Sequence, residues 1–167
     1  QLGALDGDQW GALSTRQVAA LTAAQLSKLT TDDLNALTPT QFAVLNTEQV
    51  AALTVGQMSK LKAEDLAVLS TAIIKSLSST QVGALTSDQL MNLSTAQIST
   101  LNSAQLASFS NAEFAALSAD QVAALNNAAL AGLSSTQLGA FTADQFAAMK
   151  TSQIAALSTA QLSRLTS

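Results

Sequence analysis

The sequence predicts an all-α solenoid of very short capped helices, one per eight-residue repeat, with several repeats completing each coil. Three observations carry this reading. Leu recurs every eight residues from Leu5 to Leu165, and all 21 positions of that column are apolar, with only Phe109, Phe141 and Met149 replacing Leu. A second column, Leu2, Trp10, Val18, Leu26 and on to Leu162, holds 21 apolar residues without exception. The polar residues between them are as regular. The residue after each Leu is Ser, Thr, Asn or Asp in 19 of 21 cases, the exceptions being Lys62 and Lys150. The residue before each member of the second column is Gln in 16 of 21, the exceptions being Asp33, Asp65, Ile73, Glu113 and Ala129.

The unit is therefore Ser/Thr-x-x-Gln-Φ-small-Ala-Leu, where Φ is a large apolar residue. Twenty complete copies run from Asp6 to Leu165 without a linker, so residues 1–167 read as a single domain of about 20 repeats. A strand is disfavoured because the fifth and eighth residues of a unit would lie on opposite faces. The Ala, Leu and Gln content favours helix. One continuous helix fits poorly, because eight residues advance about 800° and each column would drift about 80° per repeat.

A separate short helix per unit accounts for each position in turn. Ser, Thr, Asn or Asp is the N-cap, and Gln falls at N3. That is the capping box, in which the cap oxygen accepts the N3 amide and the N3 side chain accepts the cap amide. Leu before the cap and Φ at N4, as in Leu13 with Val18 or Leu37 with Phe42, form the hydrophobic staple. The only proline, Pro39, falls at N1, where a helix tolerates it. All 11 acidic residues occupy the cap, N2 or N3, and four of the seven basic residues (Lys28, Lys60, Lys75 and Arg164) lie in the second half of a unit. This order suits a helix dipole that restarts every eight residues.

Helices of six or seven residues do not stand alone in water. They must bury Leu and Φ against neighbours, as a solenoid does. Junctions of about one non-helical residue predict corners rather than hairpins. Gly11, Gly83, Gly132 and Gly139 near unit ends would allow close helix contact. Gln could ladder inside the coils, in which case Ile73 and Ala129 would interrupt the ladder.

Composition excludes several chemistries. Without Cys or His there is no disulfide, no thiolate nucleophile, no Cys/His metal site and no histidine base. A net charge of −4 with seven scattered Lys and Arg argues against nucleic acid as a partner. No run approaches the roughly 20 apolar residues of a membrane span. Asp32–Asp33 and Glu64–Asp65 could be read as carboxylate pairs, but they fit the first-turn charge rule that the other acids obey. The Ser and Thr columns lack an activating partner and read as caps. Trp10, Phe42, Phe109, Phe114, Phe141 and Phe146 occupy apolar columns and read as core. The N1 series Gly7, Thr15, Ala23, Thr31, Pro39 is too irregular for a lattice-matched ice-binding face. No catalytic residue, metal ligand or cofactor is expected, and the chain reads as no enzyme.

The segments LSTRQVAA (13–20), LTSDQL (85–90), LSTAQI (93–98) and LSTAQL (157–162) resemble the Leu-Ser/Thr-x-x-Gln octapeptide arrays of large bacterial secreted or cell-surface proteins. The resemblance spans the whole chain. It implies an extracellular or cell-surface location and a role as stalk, adhesin segment or filament component, and it carries no catalytic residue.

The expected function is therefore that of a non-enzymatic structural repeat protein, a spacer or a filament subunit. The first and last units keep the consensus apolar residues, so Leu2, Leu5, Trp10, Leu162 and Leu165 are expected to be only partly covered. They would mark end-to-end self-association or continuation of the array. The alternative is a solenoid that binds a protein or glycan through an exposed face. The departures from consensus between Lys60 and Lys75 are where such a face is expected.

Overall fold

In a computed structural model of the chain, residues 5–163 are described, and among them the backbone forms twenty short α-helices and no strand. They are α1 (Gly7–Ala12), α2 (Thr15–Ala19), α3 (Ala23–Leu26), α4 (Thr31–Ala36), α5 (Pro39–Phe42), α6 (Thr47–Ala51), α7 (Val55–Met58), α8 (Ala63–Ala67), α9 (Thr71–Ser76), α10 (Ser79–Val82), α11 (Ser87–Asn92), α12 (Thr95–Ile98), α13 (Ser103–Leu106), α14 (Asn111–Ala116), α15 (Ala119–Ala124), α16 (Asn127–Ala131), α17 (Ser135–Leu138), α18 (Ala143–Ala148), α19 (Thr151–Ala155) and α20 (Thr159–Ser163). One helix per octad is the predicted arrangement. The helices are shorter than the six or seven residues expected, running from four to six. Tight bonds such as Lys28 N–H to the Gln25 carbonyl and Leu29 N–H to the Leu26 carbonyl close the last turn early.

Most units start as the capping box predicts, the exceptions including α8, α9 and α16. At α11, Gln89 N–H donates to Thr86 Oγ1 (3.2 Å) and Thr86 N–H donates to Gln89 Oε1 (2.7 Å). The unit ends where Leu turns extended, as at Leu93 with φ −67° and ψ 137°. The extended Leu and the extended cap reverse the chain with no positive φ at any described residue. That is why the corners need no glycine.

Helices pack against those three units away, as in α1 with α4, α8 with α11, α15 with α18 and α17 with α20. Side-chain hydrogen bonds between coils reach back 25 to 31 residues. With eight residues per unit, a coil therefore holds between three and four units. Each helix rests across two helices of the coil before it, and the core is one continuous column of Leu and Φ side chains.

The two columns point in opposite directions along that core. Val18, Leu26, Leu34, Phe42 and their Φ equivalents are fully enclosed as far as Leu138, whereas Phe146 and Leu162 are half-buried and Ile154 is exposed. The Leu column shows the reverse. Leu5, Leu13 and Leu21 are half-buried, and Leu29 onward is buried through Leu157. Leu therefore packs toward the preceding coil and Φ toward the following one. Near the C-terminal end, Phe109, Phe114, Phe141 and Phe146 form a chain of tilted ring contacts with centroids 5.4 to 5.7 Å apart. Such tilted contacts suit the aromatic quadrupole.

The glycines divide by role. A Cβ at Gly83 would come within 2.9 Å of Ser108 Cβ, and one at Gly132 within 2.7 Å of Ser103 Cβ, so Gly83 admits the close approach of the next coil and Gly132 that of the preceding one. Gly11 has ordinary contact with Ala36, and Gly139 meets only carbonyls of its own helix. Asp88 at N2 is exposed as expected, but Ser87 at N1 is half-buried rather than exposed.

Leu93→Ala removes a side chain only 3% exposed and is expected to cost about 2–5 kcal/mol in urea unfolding. Ser87→Ala is expected to cost less than about 0.5 kcal/mol. Equal losses at the two positions would contradict this core.

Candidate functional site

The recurring polar feature of the array is the glutamine at N3. Its oxygen accepts the cap amide of its own helix, which leaves its NH2 group free to donate elsewhere. In Gln89 that group donates to the Met58 carbonyl (2.9 Å) and the Leu61 carbonyl (2.7 Å), 31 and 28 residues earlier. These are C-terminal carbonyls of α7's unit, of which Met58 also accepts the Leu61 N–H (3.4 Å). Gln41, Gln49, Gln57, Gln81, Gln97, Gln105, Gln121, Gln137, Gln145, Gln153 and Gln161 reach back to the preceding coil in the same way, with Nε2–O distances such as 2.7 Å for Gln41 to Leu13 and 2.8 Å for Gln105 to Leu77. All but Gln137 are buried.

The first coil has donors without acceptors. Gln9, Gln17 and Gln25 are exposed, and only their oxygens are engaged, each with its own cap amide. Leu5, Leu13 and Leu21 lie half-covered on the same side. The last described coil has the matching deficit, with Phe146, Ile154 and Leu162 uncovered on the opposite side.

The expected assembly residues fall as follows. Leu5 and Leu162 are half-buried, one on each end face. Leu2 and Leu165 lie outside the described residues. Trp10 is 0% exposed, not partly covered as expected, because it belongs to the Φ column and is enclosed by the coil that follows it. Its indole Nε1 has no hydrogen-bond partner.

The five units without Gln at N3 differ from one another. Asp33 and Glu113 are half-buried and accept their cap amides (3.0 Å from Thr30 and 2.6 Å from Ser110). Ile73 and Ala129 are buried and carry no amide, as the ladder argument expected. At Ala129 the cap residue substitutes for the missing glutamine. Asn126 Nδ2 donates to the carbonyls of Leu101 (2.6 Å) and Ser99 (3.2 Å) in the preceding coil. Sequence reasoning missed Asn126, and the signal was an Asn cap paired with an apolar N3.

Asp65 is the exception. It is 0% exposed, and neither carboxyl oxygen has a hydrogen-bond partner. The cap amide it would accept, Lys62 N–H, donates instead to Asn35 Oδ1 of the preceding coil (3.2 Å), and Asn35 Nδ2 donates to the Lys60 carbonyl (2.9 Å). Burial pushes the Asp65 carboxyl up to about 6, Lys62 pulls it down, and Glu64 pushes it up further.

Between Lys60 and Lys75 the exposed departures from consensus are Lys60, Lys62, Glu64 and Lys75. Lys75 lines an open groove of about 430 Å³ with Ser99, Asn102, Ser103, Asn126 and Ala129. Ala129 helps to open it by lacking a glutamine side chain. Among the described residues no group of three or more acidic residues could hold a metal ion, and no helix is long and apolar enough to cross a membrane.

Gln89→Ala removes the side-chain acceptor of the Thr86 amide and the side-chain donor to the Met58 and Leu61 carbonyls. It is expected to destabilise by about 1–3 kcal/mol for each group left unsatisfied, against about 1 kcal/mol for Thr86→Ala, which removes only a cap. Chemical denaturation of the two variants checks the order.

The ALTTAQ repeat family matches the chain at residues 26–63, 58–95, 90–127 and 120–151. The matches begin 32, 32 and 30 residues apart, so the family's unit is about four of the octads read from the sequence. No curated protein matches the chain.

Proposed function

The chain belongs to the ALTTAQ repeat family, and from that premise we propose that it works as a non-enzymatic structural element, an extendable rod that serves as a spacer or stalk or as a filament subunit. One observation supports this above the others. The first and last described coils present complementary halves of the contact that every interior pair of coils makes. One face offers Gln9, Gln17 and Gln25 amide donors beside Leu5, Leu13 and Leu21. The other offers Phe146, Ile154 and Leu162 beside C-terminal carbonyls. A contact between unlike faces of identical units does not close on itself, so it propagates. The next coil can come from the same polypeptide or from a second copy, and the chemistry is the same. An extracellular or cell-surface location fits such a rod and rests on the resemblance of the octads alone.

A second reading, a solenoid that binds a protein or glycan, is favoured by the groove beside Lys75. Its polar lining is already committed internally, as Asn126 is to Ser99 and Leu101 and Ser103 is to the Ala128 carbonyl. That leaves the Lys75 ammonium as its recognition group and makes this the weaker reading.

Lengthening the chain at its C-terminal end by four consensus octads is expected to raise its resistance to urea, because the new glutamines complete the last coil's carbonyls and the new Leu residues cover Ile154. Sedimentation of the chain as it stands is expected to show end-to-end species that grow with concentration and disappear in Ile154→Lys. A lengthened chain with unchanged stability would overturn the rod reading. A lengthened chain that gains stability while the original stays monomeric would leave continuation within one polypeptide as the way the rod extends.

A further inference from the structure

In one unit of the array the buried N3 side chain is a carboxyl without a hydrogen-bond partner. Everywhere the N3 residue is buried and polar, except at α8, its side chain donates to carbonyls 28 and 30 or 31 residues earlier. At α8 the positions 28 and 31 residues earlier are Leu37 and Leu34, and the side chain is Asp65. An ionised carboxylate has no donor to offer. It would place a charge without a hydrogen-bond partner in the core, which burial makes costly. Its usual second role is also taken, because Asn35 of the preceding coil holds the Lys62 amide.

We propose that Asp65 is a proton-controlled joint in the rod. With the carboxyl neutral, the contact of α8 with the coil before it is intact. With the carboxyl ionised, that contact loosens while the rest of the ladder holds. A neutral carboxyl removes the buried charge and carries one O–H donor.

The surrounding charges are few. On its own unit, Lys62 and Glu64 act on it in opposite senses. Of the helices packed on α8, α5 carries no charged residue and α11 carries only Asp88, which is exposed at N2. On α4, which supplies Asn35, the acids are Asp32 and Asp33 in the first turn. No packed helix brings a basic group to hold Asp65 ionised.

The sign follows from the direction of the shift. The folded chain holds this proton up to about 6, against an ordinary value of 3.8. The stabilisation is therefore fully present below about 3.8 and is lost as pH rises through about 6.

The test is urea denaturation of the chain and of Asp65→Asn from pH 3.5 to pH 8. The ratio of their folding equilibrium constants is expected to shift about tenfold to a hundredfold in favour of the variant across that range. A ratio independent of pH would overturn the proposal. Should Asp65→Asn fail to fold, ¹³C titration of the unaltered chain decides. An Asp65 carboxyl carbon that titrates well above the usual carboxylate range supports the joint, and one that titrates within that range overturns it.

Discussion

The structure depends on the two ends of one glutamine side chain being used differently. The oxygen closes the capping box of its own helix, and the nitrogen caps the C-terminal carbonyls of a helix one coil back. Helices of four to six residues leave most of their backbone groups without intrahelical partners. In most folds those groups turn to solvent. Here the N-terminal amides and C-terminal carbonyls are satisfied inside the array, and a single residue type serves both. Local helix formation and coil stacking are therefore coupled, and neither is stable without the other.

This coupling explains the composition. Ser, Thr and Gln are fixed by hydrogen bonding, and Leu and Φ by burial. Few positions are left for charge or for aromatic residues. At two of the units where the glutamine is replaced, a neighbour takes over one of its roles. Asn126 takes over the donor role at Ala129, and Asn35 takes over the acceptor role at Lys62. Solvent reaches Asp33 and Glu113. The Asp65 carboxyl itself has neither solvent nor a hydrogen-bond partner.

The helices, their phase and the two apolar columns were legible in the sequence because they rest on interactions within one unit. The capping box and the staple each join residues three to five apart. What was not legible depends on the corner. The number of units per coil is set by the angle between extended Leu and extended cap, and the repeat pattern does not encode that angle. Trp10 and Leu5 looked equivalent as terminal apolar residues. They differ because Φ faces forward and Leu backward along the core, so only Leu5 lacks a cover. Asp33 and Asp65 also looked equivalent, as first-turn acids. What separates them is Asn35, a residue of another coil that competes for the cap amide. The groove beside Lys75 shares that origin, since it opens where a side chain from one coil is missing against the next.

Among the described residues the hydrogen bonds between coils span no more than 31 residues, and no strap or distant pairing ties one end of the array to the other. Under tension such a molecule has no reason to fail all at once. A coil at the loaded end can peel away while the coil beneath keeps its own contacts. Each release of about 28 residues pays out roughly 90–100 Å of chain at full extension. Relaxed, the freed octads have a template to rewind against. The same register that builds the rod would make it a reversible shock absorber, lengthening in steps and recoiling without loss of order.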